Sequence, residues 1–143
     1  MKKTIRINRT DSIFLAVSLS DVLSQIENGT EYSWNILWVE AIGKLERKTM
    51  LEFEEKINNS KDGYALIWEE LVELADSFSQ VINILLVGDK DKDNLKRYDS
   101  DDEMRIKCSF CIELIDSSYW EITSNDLTSI EKLMLNIPGS TMF

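Results

Sequence analysis

Both cysteines of the chain stand in one run, Cys108-Ser109-Phe110-Cys111, at the spacing used by redox enzymes and by zinc sites. A redox pair normally sits at a helix start, where the dipole lowers a thiol pKa, and a zinc ion needs about four ligands. The chain offers no histidine to complete such a set. Around the pair, Ile106, Cys108, Phe110, Ile112 and Leu114 alternate with Lys107, Ser109, Cys111 and Glu113, the period of a half-buried strand. On that reading Cys108 faces the core, Cys111 faces outward and the pair is structural, with no metal or cofactor to hold.

The missing histidine also removes Ser-His-Asp and Cys-His machinery, leaving only a carboxylate or lysine of strongly shifted pKa as a general base. The five glycines are scattered and form neither a dinucleotide-binding nor a phosphate-binding loop. Asp89-Lys90-Asp91-Lys92-Asp93-Asn94 imitates the opening of a calcium loop, yet Asn94 stands where an EF-hand needs Gly and Ser100 where it needs a bidentate Glu. It reads as a solvated hinge loop. The expectation is a protein that is not an enzyme.

Acid is the prominent chemistry. From Trp68 to Phe78 the apolar residues share one helical face, and Glu69, Glu70, Glu73 and Asp76 occupy the opposite arc. Glu69 and Glu73 are like charges four apart, a cost of roughly 0.2–0.5 kcal/mol in a helix, so the stripe is not there for helix stability. A second acidic stretch holds Tyr98, Asp99, Asp101, Asp102 and Glu103, and tyrosine beside carboxylates is a common interface anchor. These nine residues are the candidate partner contacts. Residues 50–79 carry a net −6, residues 89–103 a net −3 and the whole chain −10. Such a field repels nucleic acid and anionic lipid, and a basic protein surface complements it.

The elements that must position these residues fit one domain, residues 1–143, of α+β class. Strands are expected at 13–17, at 34–42 (apolar on both pleat faces and so central), at 81–87, at 104–115 and at 119–123. Helices are expected at about 21–27, after Thr49 with its capping-box partner Glu52, at 67–78, and from Asp126 to the Pro138-Gly139 stop. That makes a mixed or mainly antiparallel sheet of about four to five strands with about four helices. Trp34, Trp38, Trp68 and Trp120 fall mostly in phase with core faces. With no apolar run long enough to span a bilayer and no secretory pattern at the start, the chain is expected to be cytoplasmic, away from membranes, and a monomer or weak homodimer when free.

The runs WNILWVEAIG, WEELVELADSFSQVINILLVG and DSSYWEIT, in a small acidic chain, resemble the immunity proteins of contact-dependent growth inhibition and other polymorphic toxin systems, over the general layout of residues 12–137. The resemblance implies a cytoplasmic antidote that binds a cognate toxin domain, often a nuclease with a basic cleft, and blocks its active site or substrate groove. Two other readings stand beside it. One is an acidic adaptor or nucleic-acid mimic that binds a DNA-processing protein, and the other is a small carboxylate-based enzyme.

Overall fold

Ile5 and Ile7 are fully buried while Thr4, Arg6 and Asn8 are not, so the basic start of the chain is a strand, β1 (Lys3–Asn8). The computed structural model describes residues 2–9, 17–45 and 48–142, which places the expected strand segment 13–16 outside the described residues. Six more strands follow: β2 (Ser33–Gly43), β3 (Tyr64–Leu66), β4 (Phe78–Asp89), β5 (Phe110–Ile115), β6 (Tyr119–Ser124) and β7 (Ser140–Met142). The helices are α1 (Leu19–Leu23), α2 (Met50–Asn58), α3 (Trp68–Ser77), α4 (Asp101–Lys107) and α5 (Leu127–Asn136).

The α+β class holds, and the sheet is larger than expected. Its seven strands run in the order β3-β2-β4-β5-β6-β1-β7, every neighbouring pair antiparallel. The strands not anticipated are β1, β3 and β7, and the last two are three-residue edge strands too short to show a period. Among the described residues, no helix is long and apolar enough to cross a membrane.

One registered row explains much of the stability. Ile36, Leu86, Ile112, Ile122 and Ile5 lie opposite one another across five strands, and each is fully buried. At about 1.5–3 kcal/mol per buried aliphatic side chain, this row outweighs any single polar contact in the molecule. It forms the first face of the sheet, against which α1, α2, α3 and α5 pack through Val22, Phe53, Leu71 and Ile130. Trp34 and Trp120 are also fully buried here, and their indole N–H groups donate to the backbone oxygens of Gly29 and Val17. Gly88 is required: a Cβ there would sit 2.5 Å from the Trp34 ring.

The expected long strand 104–115 is corrected. Residues 101–107 are α4, because Ser100 caps the Glu103 amide, acids fill the first turn, and Arg105 and Lys107 lie in the last. The alternation that suggested a strand also contains Met104 and Cys108 at helical spacing. Met104 is buried and Ile106 is 72% exposed, the reverse of the strand pattern at Ile106.

Helix α4 lies on the second face of the sheet, where Met104 and Leu95 cover Leu37, Val87 and Cys111. Cys111 does point away from the main core, but into this second cluster, so it is buried; Cys108, the residue that ends α4, is buried beside it. The bulge at Leu37 interrupts the β2–β4 ladder. Arg97 satisfies the carbonyl left there, donating from Nη1 to Leu37 O at 2.6 Å, and its other nitrogens reach Ile57 O in the last turn of α2 and Ser60 O just beyond it.

Smaller departures have local causes. Thr49 caps α2 at the Glu52 amide, whereas α1 is a single short turn held by a Ser18–Asp21 capping box and ends well before Glu27. Leu127 shares the helical phase of Ile130 and is nonetheless 43% exposed, at the first position of α5.

Candidate functional site

The nine predicted contacts divide between the two faces of the sheet. Glu69, Glu70, Glu73 and Asp76 are exposed on α3, whose Leu71 and Ala75 pack on the first face. Two of the four have structural work. Glu70 accepts from the Ile67 amide at 3.0 Å and caps the helix, and Asp76 accepts from the Ser20 hydroxyl at 2.7 Å and ties α3 to α1. To that extent the stripe does serve the helix, contrary to expectation.

Asp99, Asp101, Asp102 and Glu103 are exposed at the start of α4, on the opposite side of the molecule. Tyr98 is not a free anchor. It is half-buried against the second cluster, and its hydroxyl donates to Asn94 O at 2.6 Å. Asp89, expected in a solvated hinge, is buried instead. Its Oδ1 accepts from the Ser109 amide and hydroxyl, and its Oδ2 from the Asp91 amide and the Asn94 side chain. Burial alone would raise its pKa; these hydrogen bonds outweigh burial and hold it below the usual aspartate range.

The cysteine pair is shut away from solvent. Both thiols are free and buried. Cys108 Sγ donates to Asn94 O at 3.3 Å and Cys111 Sγ to Met104 O at 3.6 Å. A hydrogen bond to Cys108, then burial, push the Cys111 thiol up, so it remains protonated at neutral pH. No group of three or more potential metal ligands occurs among the described residues.

Pleat geometry exposes a surface that the nine residues only border. On the second face, the row Asn35–Val87–Cys111–Thr123 is buried beneath α4 and the chain near Leu95. The next row is only partly covered: Trp38 lies opposite Leu85, Leu85 opposite Glu113, Glu113 opposite Glu121, and Glu121 opposite Arg6, with Trp38 exposed and the other four half-buried. Trp38 is 47% exposed and Ile42, further along the same strand, 54%, so the covering of β2 on both sides stops after Leu37. Trp38 is thereby the exception among the four tryptophans.

At the centre of this open half, two carboxylates face each other across the β5–β6 pair, an arrangement that destabilises a sheet. Arg105, reaching down from α4, lies 3.9 Å from Glu113 and 3.7 Å from Glu121, and Arg6 lies 3.5 Å from Glu121 and stacks on Tyr119 at 4.3 Å. Burial first and Asp101 second push the Glu113 carboxyl above the usual glutamate range; Arg105 opposes them and Glu121 adds to them. Sequence reading passed over Glu113 as an ordinary outward residue of a strand. A recoverable signal lay in Glu113 and Glu121 flanking the Asp116-Ser117-Ser118 turn at positions that pair across a hairpin.

Exposed aromatic and aliphatic side chains, the half-buried carboxylate pair and the α4 acids share this face of the sheet. Comparison with protein-family models, curated proteins and solved structures found no match to this chain.

Proposed function

We propose that this protein is a non-catalytic antidote of the immunity type, which binds a cognate toxin domain through the open half of its second sheet face and neutralises it. The observation that supports this reading is the exposed pair Trp38 and Ile42 on the second face, on the same side as the half-buried carboxylates Glu113 and Glu121 and the acids of α4. A basic nuclease cleft complements it: carboxylates stand where phosphates would, and Trp38 and Ile42 supply contact area that charge alone does not. The adaptor and nucleic-acid-mimic reading uses the same physics and differs only in partner.

The test is co-expression with the product of the neighbouring reading frame. An equimolar complex and loss of that product's nuclease activity are expected. A folded chain that neither binds nor inhibits that product overturns the reading. Turnover abolished by a single change at Glu113 or Glu121 would instead favour the carboxylate enzyme.

A further inference from the structure

Strand β3 pairs with β2 only at residues 34–36, and among the described residues no strand flanks the rest of β2 on that side. From Leu37 onward this edge is closed by side chains instead. Asn58 Oδ1 accepts from the Val39 amide at 3.0 Å and Asn58 Nδ2 donates to Val39 O at 3.1 Å, the pair of bonds that a neighbouring antiparallel strand would supply. One turn earlier on the same stripe of α2, Glu54 Oε1 accepts from the Ala41 amide at 2.7 Å, and Arg97 holds Leu37 O. Phe53 and Ile57, on the adjacent stripe, are buried and fasten α2 to the first face. Helix α2 thus stands in for a missing strand.

The segment under this cover has the composition of strands that add to one another: residues 36–42 hold six apolar side chains and one charge, Glu40, with no proline or glycine. We propose that the 37–41 edge of β2 is a self-pairing surface that α2 keeps shut, and that its occupant when α2 lifts is the same edge of a second copy. An antiparallel pair about a two-fold axis is self-complementary. Centred on Val39, it sets Trp38 against Glu40 of the second copy, so the carboxylate meets no like charge, and it covers Trp38 and Ile42, which are exposed in the single chain. The net charge of −10 on each copy opposes association, so salt strengthens the pairing once α2 has moved.

The test is the double change N58L/E54L, which keeps helix-forming side chains at two half-buried positions and leaves the Val39 and Ala41 backbone groups without partners. Sedimentation over a range of concentrations should show a monomer for the unaltered chain and a dimer, tighter in salt, for the variant. In dilute variant the Val39 and Ala41 amides should exchange faster on the order of tenfold, and they should regain protection as the dimer forms. A folded variant that stays monomeric, or a dimer whose new protection lies outside 37–41, would overturn the proposal. Should the double change fail to fold, the unaltered chain decides. In mild denaturant its Val39 and Ala41 amides should exchange together with α2, ahead of those of β5, and should slow as protein concentration rises. Exchange of these amides only with β5, or with α2 but at a rate independent of concentration, would mean that α2 guards no self-pairing edge.

Discussion

At the scale of single residues, two carboxylates behave oppositely with pH. Glu113 has a raised pKa, so the folded chain binds more protons than the unfolded one between the ordinary glutamate value and Glu113's own higher one. Stability from this group falls as pH rises through that window, and its ionised form is a standing cost at neutral pH. Glu113→Gln should raise the melting temperature at pH 7, and the gain should vanish in acid; a loss at pH 7 would contradict the assigned strain. Asp89 is depressed, so its contribution is full above the ordinary aspartate value and is lost as pH falls through its own lower one. Asp89→Ala strands donors from Ser109, Asp91 and Asn94 and should cost about 2–3 kcal/mol in denaturant titrations at pH 7. Sequence reading could not separate these two acids, because burial and hydrogen bonding come from residues remote in the chain.

Among the elements, those with an internal period were legible and those defined by neighbours were not. The helices from Met50 and from Trp68, the strand from Trp34 and the hairpin turn at Asp116 carry their own patterns. Strand β1 alternates Thr4, Ile5, Arg6 and Ile7 too, but two buried residues in six are too few to set a period apart from the surrounding basic side chains. Helix α4 was misread because seven residues fit either period, although Ser100 and Glu103 have the spacing of a cap. That cap carries a prediction: Ser100→Ala should lower stability by about 1 kcal/mol and speed amide exchange across 101–107 before the rest of the chain. Uniform exchange in the variant would mean that α4 is held by Met104 alone. The closed cysteine cluster follows from the same helix. Cys108 and Cys111 should resist a thiol reagent in the native chain and react fully in denaturant.

For the whole molecule, a charge of −10 is spread over two sides of one sheet, so no flat partner touches both α3 and α4 at once. The nine acidic and aromatic candidates were legible from composition, but their division was not, because it depends on which pleat face each helix covers. The open face itself was hidden for a related reason. Trp38 counts as core by phase, and the bulge at Leu37 turns it to the uncovered side. The measurement that bears most directly on the proposed function is hydrogen–deuterium exchange of the chain alone and in complex with the co-expressed toxin domain. Protection gathered on 37–42, 112–121 and α4, with α3 unchanged, is the expected result. Protection confined to α3, with the open sheet face exchanging as in the free chain, would contradict it.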